Sequence, residues 1–397
     1  MKPLILFALL VQLSHTSTLT LTQLLHEAKK TDSLTQALMQ EKMYLAAKNE
    51  ADTSLEPMEL YGTVAKAYPE IGDDMYEYSL GISQTLSWGD SKQKDRQITQ
   101  LNNEATLLEE DKQILDFENG LKSLYHNHCL DKKYYKVSKQ NYRAFVKLYK
   151  KKQKAYKYQE ISKAELMQLE IEKNRLYAQL QEIKMTQLIS KQKLFVLGRL
   201  NNADTTILSC KDIYPIRENV PLPKERFKLS KEAHIKHLKS TQVTLERYSK
   251  TIDNIHISAQ YDKEIDTNRV GIGISIPLNF TSNRSEQERA AAMYKHSSLG
   301  FQHEQMILEK ESRLLALQTY LNNKVKMLKT LRNNHHNYKK QLLPLIKKSY
   351  DLGETSVIEY LLNRQKSYHL RQEIYATKKA YYNTLFKLYT LSEMKDK

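Results

Sequence analysis

Lys348–Leu362, KSYDLGETSVIEYLL, decides the fold, because a weaker copy, KAYKYQEISKAELMQ, starts at Lys154, 194 residues earlier. Each has an aromatic residue at its third position, a short polar break, then a serine, an acid and an apolar run. These are Ser162, Glu165 and Leu166 in the first copy and Ser356, Glu359 and Leu361 in the second. A single repeat at so long a period is a duplication and not a solenoid. LGIS from Leu80 and IGIS from Ile272 recur at nearly the same offset, 192 residues. The duplicated unit is therefore long.

What surrounds each tip stretch is helical. The chain has 397 residues with only 10 Gly and 8 Pro, no Pro lies between Pro69 and Pro215, and charged residues make up 27%. That is the profile of long helices. Asp90 to about Ala155 reads as one rod, roughly 100 Å long at 1.5 Å per residue. The break at Tyr158–Glu160 turns the chain, and Ser162–Leu197 returns, ending at Gly198. A loop with Asn201, Asn202, Pro215, Pro221 and Pro223 follows, then a helix reaching Thr251. In the second copy TSNRSEQE spaces Ser285 and Glu288 as a capping box, and Pro344 predicts a kink near the rod's end. The chain before the first strands, Leu19 to about Ala51, reads as one helix.

The strands betray themselves by a change of period. In MYEYSLGISQTLSW, Tyr76, Tyr78, Leu80, Ile82, Leu86 and Trp88 alternate with Glu77, Ser79, Gly81, Ser83, Thr85 and Ser87. Leu60–Tyr68 is a partner strand of ambiguous face, joined by a turn at PEIGDD. TIDNIHISAQY and RVGIGISIPLNF repeat the pattern in the second copy. GIGIS lies inside a strand with no helix opening at its glycines, so it is not a dinucleotide loop. Four strands with a face of Tyr, Ile, Leu and Trp are what a membrane barrel turns to lipid. Open edges are not tolerated there and the smallest barrels need about eight strands, so one chain cannot close the barrel and three, supplying twelve, can.

With those elements in place the chain resembles the TolC family of outer-membrane efflux ducts over nearly all its length. SYDLGETSVIEYLLNRQ, with LLPLIKKSY upstream, and GIGISIPLNF carry the resemblance. The implied fold is mainly α with a transmembrane β part: a homotrimer with a 12-stranded barrel and a tunnel of α-helical hairpins. The expected organisation is a signal peptide, 1–17, and two repeats, 18–225 and 226–397. The first has strands at about 58–68 and 75–88, a helical hairpin at about 90–198 and an equatorial loop at 199–225. The second has strands at about 252–262 and 268–280 and a hairpin at about 283–392. The resemblance further implies a channel in the outer membrane of a Gram-negative bacterium with a large periplasmic part. It would work with a periplasmic adaptor and an inner-membrane pump of RND or ABC type.

The resemblance also assigns residues. Tyr350 stands where the family holds its closed tip by hydrogen bonding. Glu359 stands where an acidic ring lines the constriction, with Leu362 one turn on where some members have a second acid. Leu352 and Gly353 stand where the adaptor docks, and Tyr158 and Gln159 take the corresponding positions of the first tip. Conduction needs no catalytic set, and none is read here; nor is a cofactor.

The N-terminus, MKPLILFALLVQLSHTS, has one lysine, an apolar run too short to span a membrane and then small polar residues, the layout of a secretory signal. The formal charge of +16 raises nucleic acid as a partner, but acids are interspersed along the same helices and no recognition motif is present. Cys129 and Cys210, the only cysteines, are expected to stay unpaired, because the helical reading sets them tens of Å apart and pairing needs Cα atoms within about 7 Å. His126 with Cys129, at i and i+3, and the adjacent His335 and His336 are weak metal candidates; packed or solvated side chains are the default. The competing function is an exported coiled-coil stalk or scaffold, for which two amphipathic strand hairpins have no use.

Overall fold

The computed structural model describes residues 18–31, 33–68, 75–200, 206–248, 252, 254–264, 267–277 and 283–394. The signal sequence, the PEIGDD turn, Asn201, Asn202, Leu278 and Phe280 lie outside them. In chain order the elements are β1 (Thr18–Leu19), α1 (Leu21–Thr31), α2 (Ser33–Thr53), β2 (Glu59–Ala67) and β3 (Met75–Ser87). The first helical hairpin, α3 (Ser91–Lys157) and α4 (Lys163–Leu197), is followed by β4 (Ile207–Leu208) and α5 (Lys228–Arg247). Then come β5 (Asn254–Lys263), β6 (Asn268–Ser275), α6 (Arg284–Asn337), a π-helical turn (Tyr338–Leu342), α7 (Leu343–Asp351) and α8 (Val357–Ser392). No helix among the described residues is long and apolar enough to cross a membrane.

Two compact units cut across the repeats: Ala37–Gln113 with Phe227–Glu311, and Met1–Gln36 with Ile114–Arg226 and Ser312–Lys397. The first unit holds an antiparallel sheet in the order β2-β3-β5-β6. Its register resolves the ambiguous face of the first strand. Leu80 lies opposite Gly62 and Tyr261, Ile82 opposite Leu60 and Ala259, and Ile257 opposite Ile274. Directly opposed residues share a face. Leu60 and Val64 of β2 therefore join Tyr78, Leu80 and Ile82 of β3, Ile257 and Tyr261 of β5, and Val270, Ile272 and Ile274 of β6 on one side. That side is bare: Leu80 is 58% exposed, Val270 82% and Ile272 81%. The other side is polar and internally bonded. Tyr61 donates to Gln260 Oε1 at 3.2 Å, and Thr85 Oγ1 lies 3.3 Å from His256 Nδ1. The Tyr61 ring lies over Gly81, where any Cβ would collide with it. β6 stops at Ser275, short of the expected 280, and Pro277, which cannot donate to a ladder, follows two residues later. In this unit α5 is tied to the start of α3 by Lys236–Glu104 and Arg247–Asp95.

In the other unit, Leu21, Leu24 and Ala28 of α1 pack with Leu121, Tyr125, Leu194, Phe195 and Leu208. The expected single helix from Leu19 is interrupted before it starts, because Thr18 and Leu19 pair in parallel with Ile207 and Leu208 as β1 and β4. The main correction is Cys129–Cys210, which is a disulfide with Cα atoms 5.5 Å apart. The distance argument for free thiols treated the rods as extended away from each other. Cys129 is 28 residues back from the end of α3 at Lys157, about 42 Å, whereas the 35 residues of α4 return about 52 Å. The segment after α4 is thus back beside Cys129.

Residues 206–226 have little regular structure beyond β4, so their backbone needs other partners. Tyrosines supply them. Tyr382 donates to the Tyr214 carbonyl at 2.6 Å, Tyr381 accepts from the Arg217 N–H at 3.0 Å, and Tyr125 donates to the Ser209 carbonyl. Buried His126 Nδ1 lies 2.7 Å from the Lys122 carbonyl, and its Nε2 accepts from the Tyr214 N–H at 3.0 Å. The ring is therefore neutral and fixed in one tautomer. Burial and the neighbouring Lys132 and Lys191 push His128 down to about 4.

Two further expectations change. Ser285 lies inside the first turn of α6 instead of capping it, and Glu288 binds the Arg284 guanidinium at 2.8 Å. Pro344 produces no simple kink. Its ring nitrogen cannot donate to the Lys340 carbonyl, and the ladder widens just before it, with the Leu343 N–H bonded to the Tyr338 carbonyl across the π-helical turn.

Candidate functional site

The two tip stretches form the same backbone motif. At the first, Glu160 N–H bonds the Ala155 carbonyl at 3.0 Å and Gln159 N–H bonds that of Tyr156 at 3.0 Å. At the second, Glu354 N–H bonds the Ser349 carbonyl at 2.9 Å and Gly353 N–H bonds that of Tyr350 at 3.1 Å. This is the paired 6→1 and 5→2 closure of a Schellman motif, which needs a left-handed residue. Gly353 takes it with φ 79° and Gln159 with φ 62°. The first copy has lost the glycine and kept the conformation. A side chain in that region costs about 1 kcal/mol, so Gln159→Gly should stabilise the first tip by roughly 1 kcal/mol in urea unfolding. A loss of stability would mean that the Gln159 side chain makes a compensating contact.

The returning helices start alike. Ser162 and Ser356 are N-caps in extended conformation, each accepting the N–H of the acid three residues on, at 3.1 and 3.2 Å. Glu165 completes the capping box by accepting the Ser162 N–H at 3.1 Å. Glu359 is exposed on the first turn of α8, and Leu362 is exposed one turn on. Negative charge at these helix N-termini is favoured by the aligned peptide dipoles.

Below the apex, Phe145, Tyr149, Leu169, Leu176, Val357 and Leu361 make a core shared by both hairpins, and Tyr350 packs against it. The Tyr350 ring stacks on Tyr360 with centroids 4.9 Å apart, and Lys152 Nζ sits 4.8 Å from its centroid. Its hydroxyl is buried without a hydrogen-bond partner among the described residues. Tyr158 and Leu352 project at the apex, 77% and 63% exposed. The structure thus brings Tyr350 into the hairpin core, leaves Tyr158, Leu352, Glu359 and Leu362 at the surface, and places Gln159 and Gly353 at the turns.

Sequence reasoning missed a polar layer just under this core. Arg175 forks onto Glu172 with both contacts at 2.7 Å, Arg364 reaches Asn141 at 3.3 Å, and Ser138 and Tyr134 meet the Tyr368 hydroxyl at 3.1 and 3.0 Å. The i, i+3 spacing of Glu172 and Arg175 was the one visible signal. Among the described residues no group of three His, Cys, Asp or Glu could hold a metal ion. Of the weak candidates, Cys129 is in the disulfide and both His126 nitrogens are engaged.

No protein-family model matches the chain, and no curated protein matches it in sequence. Solved structures do match. The CmeC outer membrane channel of Campylobacter jejuni superposes with a TM-score of 0.77 at 14% identity, over 95% of this chain and 87% of that one. The open state of the Neisseria gonorrhoeae MtrE outer membrane channel gives 0.73 at 12%, over 94% and 88%. The outer membrane protein VceC of Vibrio cholerae gives 0.71 at 13%, over 94% and 93%. The chain has the fold of these proteins, mainly α with a β part, as the resemblance to the TolC family implied.

Proposed function

We propose that a chain with this TolC-type fold is itself an outer-membrane channel, the passive exit duct of a tripartite efflux or secretion system. The observation that carries this reading is the sheet: one exposed face that is apolar along its middle and carries Lys66, Gln84 and Lys263 towards its ends, one polar face, and, among the described residues, unpaired edges at β2 and β6. In water such a face is a liability, whereas in lipid it is a requirement. Closing the edges takes further copies, and three chains give twelve strands. Each repeat, 18–225 and 226–397, would supply one strand hairpin and one helical hairpin, and 1–17 would direct export. The channel would sit in the outer membrane of a Gram-negative cell, its helices in the periplasm and its tips against an adaptor coupled to an RND or ABC pump.

In this reading Gly353 and Gln159 shape the turns that present Leu352 and Tyr158 to the adaptor. Tyr350, Glu359 and Leu362 belong to the gate. Three exposed Glu359 carboxylates around one axis would attract cations. Glu359→Ala is therefore expected to lower the cation preference of single channels in a planar bilayer, and an unchanged reversal potential would remove Glu359 from the gate.

The reading as a whole is tested by fractionation with a heat-shift gel. A heat-modifiable oligomer in the outer membrane is expected; a monomer in the soluble fraction would refute the duct. An exported stalk is the lesser alternative, because nothing in a stalk would cover the apolar face.

A further inference from the structure

Several basic residues elsewhere in the chain meet an acid: Lys29 meets Glu118, Lys236 meets Glu104, Arg175 meets Glu172 and Lys379 meets Asp131. The tip region departs from this. Residues 147–160 carry six lysines and one acid, and residues 339–354 carry four lysines and two acids. Lys147, Lys150, Lys151, Lys154 and Lys157 on the last turns of α3 are all exposed, and none has an ion pair among the described residues. The same holds for Lys339 and Lys340 on the π-helical turn and for Lys347 and Lys348 on α7.

The α3 lysines are not scattered. At 3.6 residues per turn their positions fall within a stripe about 120° wide. Phe145 and Tyr149, buried in the hairpin core, lie on the opposite side of the same helix. The stripe therefore runs along the flank of the rod for 10 residues, about 15 Å. At the apex the charge changes sign: Glu160, Asp351 and Glu354 are exposed beside Tyr158 and Leu352.

We propose that the flank of this tip is a docking surface for a protein partner with an acidic face, lying alongside α3 with its apolar residues over Tyr158 and Leu352. An anionic membrane fits less well, since a plane meeting the tip end-on would face the apical acids first and reach few of the flanking lysines. Unpaired charge of one sign over such a length raises the association rate of a complementary partner and is wasted on a neutral one. The proposal rests on the duct reading and adds the partner's chemistry to it.

The test uses the full chain in the cell that makes it, with a photo-crosslinking amino acid at Lys154 and the adduct identified by mass spectrometry. The expected adduct is a protein segment of net negative charge. Lys147→Glu with Lys150→Glu and Lys151→Glu should lower its yield about tenfold, and so should salt high enough to shrink the Debye length to about 3 Å in isolated envelopes. A neutral or basic segment, an adduct to lipid alone, no adduct, or a yield indifferent to charge reversal would each overturn the proposal. So would a charge reversal that altered the ion preference of the pore, which would put the stripe in the lumen. Conductance of the same variant in a planar bilayer separates the two readings. An intact pore with an unaffected adduct refutes only the acidic partner, whereas absence of any pore from the unaltered protein refutes the duct.

Discussion

Arginine in place of Ile272 is expected to abolish the heat-modifiable oligomer, while arginine in place of Ser79 leaves it intact. Ile272 stands mid-strand on β6, opposite Ala259, and is 81% exposed in the single chain. If water covered that face, exchanging an exposed isoleucine for arginine would change stability by no more than about 0.5 kcal/mol and would improve solubility. In lipid the same exchange costs about 2–4 kcal/mol near the midplane, and it recurs in every copy. Ser79 belongs to the polar face, opposite Asp262, so a cation there has an anion across the strand pair. Urea unfolding of both variants in phospholipid vesicles, with the heat-shift gel beside it, measures the difference. Equal behaviour of the two would show that the apolar face does not meet lipid.

The second large effect concerns the disulfide. Replacing Cys129 and Cys210 together by serine should destabilise the unit that holds them by about 4 kcal/mol, because the bond closes a loop of sequence separation 81 in the unfolded chain. The loss is not only in the unfolded state. The bond holds segment 206–226 against α3, where Tyr214 meets His126 and Tyr382 and Ser209 meets Tyr125. Denaturant midpoints of the oxidised protein and the double variant give the magnitude. Hydrogen exchange should show the amides of 206–226 exposed first, with α3 still protected. Coincident midpoints, or equal exchange in that segment, would mean that the tyrosines hold it without the covalent bond.

Much of the fold was legible because its signals are local. The change of period at Met75 and Asn254 marked the strands, with the first three placed to within two residues, and the break at Tyr158–Glu160 marked where the first rod turns back. The candidate tip was legible as a duplicated pattern. Its inner arrangement was not: Tyr350 stacks on Tyr360, ten residues on in the chain but across the turn, and the Arg364–Asn141 contact joins residues 223 apart. Gln159 hid its left-handed conformation because glutamine gives no hint of it. The Ser285 capping box failed for a related reason, since Arg284 at the first helical position competes for Glu288.

By itself, then, the amino-acid sequence determined which segments are rods, which are strands, and that the chain is doubled, because helix and strand periodicity and turn breaks act within a few residues. Only the tertiary structure decided that all four strands turn their apolar residues to one side, and that Cys129 and Cys210 meet. Strand register and the return of α4 along α3 are relations between distant parts of the chain. A one-residue slip in pairing would have inverted a face without altering any local pattern.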